Sequence, residues 1–152
     1  MKTIILKKAT IADIPILLEL EKSVAGTNIY DPTLTKGEWK EELQKSAVYL
    51  IEKDNVVAGS LLYEKKDNGD IYLGGLVINP RFQGQGIARE AMTFVLEEFR
   101  DVKRIDLVTH PDNIKAIALY QSLGFAIESR KENYYGDGEP RIVMARILKC
   151  DR

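Results

Sequence analysis

The stretch NPRFQGQGIAR, residues 79–89, decides how this chain folds. It follows a strand-like apolar run at residues 71–78 and precedes a periodic helix that begins near Ile87. Gly84 and Gly86 allow a tight turn and let a ligand approach the main chain without meeting a Cβ. The free N–H groups in the first turn of the helix carry the positive end of its dipole. The stretch therefore predicts an anion site, most simply for a phosphate or pyrophosphate.

Two familiar phosphate motifs do not fit this loop. A dinucleotide-binding fold needs G-x-G-x-x-G, but the sixth position counted from Gly84 is Arg89. A P-loop needs Gly-Lys followed by Ser or Thr, and the chain contains no Gly-Lys pair. A turn that only connects a strand to a helix remains an alternative when the loop is considered alone.

A second motif, HPDNIKAIALYQSLGF at residues 110–125, makes the assignment specific. Its pattern is N-x-x-A-x-x-L-Y-x-x-x-G-F, filled by Asn113, Ala116, Tyr120, Gly124 and Phe125. The first motif fits Q/R-x-x-G-x-G/A through Gln83, Gly86 and Ala88. In this order and spacing the two motifs resemble the GNAT superfamily of acetyl-CoA-dependent N-acetyltransferases, and the resemblance covers nearly the whole chain.

Length and composition agree with a compact enzyme. A chain of 152 residues that is 45% hydrophobic predicts a single domain over residues 1–152 with a good core. The net charge of −1 argues against a nucleic-acid partner. No apolar run approaches the length of a membrane span and no signal-peptide pattern is present, which predicts a cytoplasmic protein with no membrane partner. The single cysteine, Cys150, cannot form an internal disulfide.

Periodicity and capping signals place the elements along the chain. The sequence predicts helices from Thr10 to about Val24, Thr35 to about Ser46, Ile87 onward, and Asn113 to Leu123. It predicts strands at Thr3–Lys7, Val48–Glu52, Val56–Glu64, Ile71–Ile78, Arg104–Thr109, Phe125–Ser129 and Arg141–Leu148, and a loop at Ala25–Leu34. Three hairpin-connected strands followed by strand–helix–strand indicate a mixed α/β (α+β) sheet. The resemblance implies the GNAT-type version, largely antiparallel, with central strands that splay apart and helices on its faces.

The resemblance also implies where acetyl-CoA binds. The pantetheine arm and acetyl carbonyl would pair with Leu76, Val77 and Ile78. The pyrophosphate would lie on the main-chain N–H groups of Gln83, Gly84, Gln85, Gly86, Ile87, Ala88 and Arg89. Asn113 is a second polar contact to the cofactor, although a helix cap is an alternative that Asp112 also fits. No metal is expected.

Two glycines precede this strand segment. Gly74 and Gly75 fit a local bulge or a close approach of another backbone. A weak strand interior with no further purpose fits them equally well.

Tyr120 is the predicted catalytic residue. A tyrosine with a pKa near ~10 is protonated at neutral pH and can donate its proton. A departing thiolate whose thiol has a pKa near ~8.5 accepts that proton readily. The alternative is a half-buried ring that only packs.

The sequence does not identify the general base. Relatives carry a glutamate five residues before the motif asparagine, where this chain has Val108, or two residues before the position of Leu76, where it has Gly74. His110 titrates in the right range but is more typical of a surface or capping residue at a strand–helix turn. A water chain or an acceptor that arrives partly neutral is the preferred hypothesis.

The tail suggests the acceptor. Tyr134 and Tyr135 stand in an acidic stretch that resembles RimI-type protein N-terminal acetyltransferases and also PaiA-type polyamine acetyltransferases. Paired aromatic rings and carboxylates suit a cationic amine. The alternative makes Gly136-Asp137-Gly138 a hairpin turn and the tyrosines strand residues.

Together these features predict an enzyme that moves acetyl from acetyl-CoA to a primary amine by direct attack in a ternary complex. The acceptor is a protein or peptide N-terminus, or alternatively a polyamine or another small amine. A catalytically weak CoA-binding regulatory protein is the alternative of another class, since both usual glutamates are missing. The sequence leaves a homodimer open.

Overall fold

The computed structural model describes residues 3–25 and 35–148. Residues 26–34 lie outside the described residues, and they make up nearly all of the predicted loop. Cys150 also lies outside the described residues. The described residues group into two compact units. The first comprises residues 3–25, 35–64 and 74–100, and the second comprises residues 65–73 and 101–148. The single domain over the whole chain stays a prediction.

The described residues form seven strands and four α-helices. The helices are α1 (Ile14–Val24), α2 (Lys36–Lys45), α3 (Ile87–Glu98) and α4 (Ile114–Ser122). The strands are β1 (Ile4–Lys8), β2 (Ala47–Lys53), β3 (Val56–Lys65), β4 (Ile71–Ile78), β5 (Arg104–Thr109), β6 (Ala126–Lys131) and β7 (Arg141–Ile147). Their order in the sheet is β1-β2-β3-β4-β5-β7-β6. The pair β4–β5 is parallel and the registered neighbours elsewhere are antiparallel, which confirms the mixed, largely antiparallel sheet.

Local sequence signals account for most element boundaries. Asp54 and Asn55 both have positive φ, 52° and 66°, as a two-residue turn between β2 and β3 requires. The Thr35 hydroxyl accepts the N–H of Glu38 while the Glu38 carboxylate accepts that of Thr35, a capping box that opens α2. Most predicted and observed ends therefore differ by at most two residues, the usual extent of fraying. The exception is the start of α1, because the predicted first turn after Thr10 is a 3-10 turn at Ile11–Asp13.

The core of the first unit lies between the apolar stripe of α3 and the strands. The buried α3 residues are Ile87, Ala91, Met92 and Val95, at the spacing of one helical face. Trp39 of α2 is fully buried, and its Nε1–H meets no acceptor among the described residues.

A close approach of two strands occurs in this unit at Gly59, not at Gly75. A Cβ added to Gly59 would lie 2.2 Å from the Val77 carbonyl oxygen, so the position admits no side chain. A Cβ on Gly75 would make an ordinary contact of 3.5 Å with Leu62. Of the alternatives left open for Gly74 and Gly75, a close approach is therefore not found at Gly75, and the glycine that a close approach requires is in β3.

The second unit is built on the antiparallel neighbours β5, β7 and β6. Its buried apolar side chains include Ile105, Leu107, Phe125, Ile142 and Met144. An ion-pair chain also runs through this unit. The Asp106 carboxylate receives Lys66 Nζ and Arg104 Nε, each at 3.1 Å, and Arg104 continues to Glu128.

The parallel ladder between β4 and β5 is short. Its register covers only Ile71, Tyr72 and Leu73 opposite Ile105, Asp106 and Leu107. The remaining β4 residues, Gly74–Ile78, belong to the first unit. None of the helices in the described ranges is long and apolar enough to span a membrane.

Candidate active site

The glycine loop has the conformation that its sequence predicts. Gly84 and Gly86 have φ of +81° and +80°, a region that other residues enter only with strain. Gly86 is the N-cap of α3. A Cβ at either glycine would meet nothing within 4 Å, so the surface above the loop is open.

The start of α3 presents unsatisfied donors at this open surface. The first main-chain N–H with an intrahelical acceptor is that of Glu90, which donates to the Gly86 carbonyl at 3.1 Å. The N–H groups of Gly86, Ile87 and Ala88 meet no acceptor within the described residues. Three orphan donors at the positive end of a helix dipole fit a phosphate group. The residues present therefore suit the pyrophosphate of acetyl-CoA.

Gln83 has a different task from its neighbours. Its main-chain N–H donates to the Pro80 carbonyl at 3.3 Å, and its side-chain Nε2 donates to the Ile78 carbonyl at 3.1 Å. These bonds fix the loop to the end of β4. Because the Gln83 N–H is already used, the loop residue predicted first in the pyrophosphate cradle acts as a brace in this structure.

Sequence reasoning missed a lysine beside the loop. Lys53, at the end of β2, donates from Nζ to Gln85 Oε1 at 2.8 Å. Its ammonium group therefore adds positive charge next to the orphan donors of α3. The two residues are 32 positions apart in the chain, so no local pattern signals their contact.

Glu90 fixes α3 to the first strand. Its carboxylate accepts the Thr3 and Ile4 N–H groups at 2.6 and 2.9 Å and the Thr3 hydroxyl at 2.7 Å. Burial alone would raise the pKa of Glu90, but these hydrogen bonds outweigh it and hold the pKa below its ordinary value.

The predicted pantetheine strand lies in the same unit as the loop. Val77 and Ile78 are buried and Leu76 is half-buried. The Val77 carbonyl is the group that faces Gly59. The Asn79 N–H donates to the Ala58 carbonyl at 2.8 Å, which ties the end of this strand to β3.

The second motif ends α4 in a defined way. The Phe125 N–H donates to the Tyr120 carbonyl at 3.0 Å, and the Gly124 N–H donates to the Gln121 carbonyl at 3.1 Å. Gly124 has φ of +96°. These are the two bonds of a Schellman motif with its glycine in the left-handed conformation. The Tyr120 and Phe125 rings lie 5.9 Å apart, so the motif also packs the tyrosine against the buried phenylalanine.

Asn113 occupies the N-cap position of α4, yet its side chain makes no capping hydrogen bond. Its main-chain carbonyl accepts the Ile117 N–H at 3.0 Å. The capping alternative for the Asn113 side chain is therefore not what the structure contains, and the cofactor contact stays a prediction.

Tyr134 and Tyr135 lie in the connection between β6 and β7, so the alternative that makes them strand residues does not hold. Their rings meet edge to face at 4.8 Å. The Arg141 guanidinium lies 5.1 Å from the Tyr135 ring centroid. Burial, and after it the nearby Tyr135 side chain, raise the pKa of Tyr72 well above its ordinary value. The Arg141 guanidinium therefore already places a protein cation at the Tyr135 ring.

The carboxylates of this connection have partners. Glu132 pairs with Arg130 at 2.7 Å, Asp137 with Arg141 at 3.2 Å and Glu139 with His110 at 2.8 Å. The stretch is consequently less acidic toward a ligand than its sequence suggests.

His110 is buried, with 2% of its surface exposed. Its Nδ1 accepts the Asp112 N–H at 3.0 Å and its Nε2 contacts Glu139 Oε1 at 2.8 Å. The predicted surface location is wrong, and the bond to Asp112 lies in the turn before α4 rather than at a helix cap. With both ring nitrogens engaged, His110 is poorly suited to take a proton from a substrate amine.

No cluster of metal-ligating side chains occurs in residues 3–25 and 35–148.

The predicted site residues divide between the two units. The glycine loop and Leu76–Ile78 belong to the first unit. Asn113, Tyr120, Tyr134 and Tyr135 belong to the second.

Comparison with known proteins identifies similar chains. The model of the acetyltransferase (GNAT) family matches residues 16–125. A [ribosomal protein bS18]-alanine N-acetyltransferase from Haemophilus ducreyi is 29% identical over 103 residues, which are 64% of this chain and 70% of that protein. A spermine/spermidine N(1)-acetyltransferase from Bacillus subtilis is 34% identical over 65 residues, 41% of this chain and 43% of that protein.

Solved structures share the fold. The ribosomal-protein-S18-alanine N-acetyltransferase from Escherichia coli superposes with a TM-score of 0.82 at 22% identity, covering 98% of this chain and 96% of that one. A GNAT family acetyltransferase from Elizabethkingia anophelis with acetyl-CoA bound has a TM-score of 0.73 at 20% identity, with coverages of 97% and 100%.

Proposed function

Because this chain belongs to the acetyltransferase (GNAT) family of N-acetyltransferases, we propose that it transfers acetyl from acetyl-CoA to a primary amine by direct attack in a ternary complex. The observation that carries the proposal is the open loop at the start of α3, where Gly86, Ile87 and Ala88 present orphan N–H groups. Such a site favours a phosphate-bearing ligand over an uncharged one.

Acetyl-CoA supplies a thioester, whose carbonyl carbon is the acetyl donor. In this proposal the N–H groups of residues 84–89 hold the pyrophosphate, with Gln83 bracing the loop from below. Lys53 adds a cation at its rim, since its ammonium lies 2.8 Å from Gln85. Leu76, Val77 and Ile78 hold the pantetheine arm through their main chain, and Asn113 adds a polar contact.

Tyr120 is proposed as the general acid. Its hydroxyl would give a proton to the departing sulfur, since a phenol O–H can donate to a thiolate. The Schellman motif supports this role, because it fixes the main chain at Tyr120 and packs the ring on Phe125. The amine must lose its own proton before it attacks. With Gly74 and Val108 at the positions of the usual glutamates, that proton leaves through water.

The proposed acceptor is a peptide or protein with a free amino terminus. An α-amine with a pKa of ~7.7–8.0 is partly neutral at pH 7, whereas an alkyl amine near ~10.4 is almost wholly protonated. The pairing of Glu132 and Asp137 with arginine side chains favours the same acceptor, because a polycation would need carboxylates that are not already compensated.

Two other candidates have some support. The likeness to the Bacillus subtilis protein favours a polyamine acceptor. The replacement of both usual glutamates by Gly74 and Val108 favours a CoA-binding regulator with weak catalysis.

One experiment separates these candidates. Release of free thiol from acetyl-CoA is followed with an alanine-initiated peptide, the same peptide with a blocked amino terminus, and spermidine. Thiol release that depends on the free terminus supports the proposal, and release with spermidine alone supports the polyamine candidate. Calorimetric binding of acetyl-CoA without thiol release from either amine would support the regulator and contradict the proposed transfer.

A further inference from the structure

A buried histidine links the turn before α4 to the connection between β6 and β7. His110 Nδ1 accepts the Asp112 N–H at 3.0 Å, so the proton of the neutral ring is assigned to Nε2. The Nε2–H then donates to Glu139 Oε1 at 2.8 Å. One imidazole thus bonds two segments that lie 27 to 29 positions apart in the chain.

The connection that carries Tyr134 and Tyr135 is closed into a loop by a main-chain hydrogen bond at Glu139. Its carbonyl accepts the Tyr134 N–H at 3.3 Å. Asn133 Oδ1 accepts the Gly138 N–H at 2.6 Å, and Asp137 Oδ1 accepts the Glu139 N–H at 2.9 Å. The segment 133–139 is therefore held as a unit by its own hydrogen bonds, and its orientation depends on where Glu139 is fixed.

The Glu139 side chain is turned inward. Its exposed fraction is 28%, and a glutamate in a connection on the surface would ordinarily extend into water. A hydrogen bond from a buried imidazole to a carboxylate is charge-assisted and stronger than a bond between neutral groups. This bond is therefore strong enough to set the position of the segment.

We propose that His110 and Glu139 form a positioning pair that sets the orientation of segment 133–139, and with it the contact of Tyr134 with the acceptor amine. The pair touches no reacting atom and acts through Tyr134. The inference rests on the proposed function, since it takes an amine as the ligand of the tyrosine-bearing segment.

Steady-state kinetics of the full chain test the pair. Glu139→Ala removes the acceptor of the Nε2–H, and we expect the acceptor KM to rise about tenfold while kcat and the KM for acetyl-CoA stay within about twofold. Glu139→Gln should restore most of the acceptor KM, because its amide oxygen still accepts the Nε2–H. Glu132→Ala removes a carboxylate from the same connection without touching His110, and it should change neither KM. An equal rise in both KM values, or a fall in kcat alone, would overturn the assignment.

Nuclear magnetic resonance tests the same pair without any acceptor. The chain contains one histidine, so its ring nitrogen signals need no assignment by mutation. We expect the Nε2–H tautomer with a proton protected from exchange, and loss of that protection in Glu139→Ala. A ring that exchanges tautomers freely in the wild type contradicts the pair.

The kinetic and magnetic resonance experiments together separate a failure of this proposal from a failure of the proposed function. If the wild-type chain acetylates no amine, the proposed function fails, and the tyrosine ring signals then decide the positioning role. A change in the Tyr134 and Tyr135 signals in Glu139→Ala but not in Glu132→Ala supports it. Unchanged signals in both variants reject it.

Discussion

The main-chain N–H of Phe125 donates to the carbonyl of Tyr120 at 3.0 Å, and the two rings lie 5.9 Å apart. The spacing Y-x-x-x-G-F in the sequence is therefore the spacing of a Schellman motif, in which Gly124 takes the left-handed conformation. The motif gives the tyrosine a fixed main chain and a packed ring. Neither contact uses the hydroxyl, so the hydroxyl can be removed without disturbing the motif.

Tyr120→Phe tests the general acid directly. General-acid catalysis typically contributes ~100- to 10,000-fold, so we expect kcat to fall by at least two orders of magnitude. Acetyl-CoA affinity should hardly change, because the ring and main chain are retained. Single-turnover kinetics and calorimetry measure the two quantities. An unchanged rate of the chemical step would show that leaving-group protonation is not the task of Tyr120.

Gly86→Asp tests the anion site at α3. A carboxylate at the N-cap would repel the pyrophosphate, and a side chain at φ of +80° adds strain of about 1 kcal/mol. We expect acetyl-CoA affinity to fall at least tenfold by calorimetry. Gly69→Asp is the matched control, because Gly69 has φ of +93° and equally open surroundings in a turn of the second unit. An equal loss of acetyl-CoA affinity in the two variants would mean that backbone strain, and not the phosphate site, explains the loss.

How much of this could be read from the sequence depends on the range of the interactions. The helix start at Thr35 and the glycine loop are local, and each was predicted from adjacent residues. Gly59 was not, because its requirement comes from the Val77 carbonyl of another strand. Lys53 was missed for the same reason, since only the folded chain brings it to Gln85.

The acceptor side illustrates the same limit. From the sequence, the segment around Tyr134 is acidic, and the cations that compensate it are not evident. Arg141 is 2% exposed, and its contacts with Asp137 and the Tyr135 ring appear only once β7 is paired. The burial of His110 likewise follows from tertiary packing, which a lone histidine beside a proline does not reveal.

The hydrogen bonds that the Glu90 carboxylate accepts from Thr3 and Ile4 predict how stability depends on pH. Its pKa is lower in the folded protein than in the unfolded chain, so its stabilisation is present above the unfolded value near ~4.3 and is lost as the pH falls through the folded value. At pH 7 we expect Glu90→Gln to reduce the free energy of unfolding by about 1–3 kcal/mol, because hydrogen bonds to a charged group become bonds to a neutral one.

The difference between Glu90→Gln and the wild type should shrink at pH 3, because the carboxyl of the unfolded chain is then protonated and folding has to overcome that protonation. Urea denaturation at both pH values measures it. Glu97→Gln, an exposed glutamate on the same helix, serves as the control and should leave the free energy of unfolding within ~0.5 kcal/mol of the wild type. A difference for Glu90→Gln that is the same at pH 7 and pH 3 would show that its charge is not what stabilises Thr3 and Ile4.

The last prediction concerns the acceptor and follows from the lack of an evident general base in residues 3–25 and 35–148. With Gly74 and Val108 where relatives carry glutamates, and with His110 bonded at both ring nitrogens, the amine must arrive neutral. At pH 7 about a tenth to a sixth of an α-amine is neutral, against less than about one part in a thousand of a lysine or polyamine amine. We therefore expect kcat/KM at pH 7 to be higher for a short peptide with a free amino terminus than for spermidine or lysine. Raising the pH from 7 to 9 should increase the rate with spermidine about tenfold per pH unit, while the rate with the peptide levels off near pH 8. A preference for spermidine at pH 7 would contradict this prediction. It would mean that another residue of the chain acts as the general base, and it would favour the polyamine acceptor.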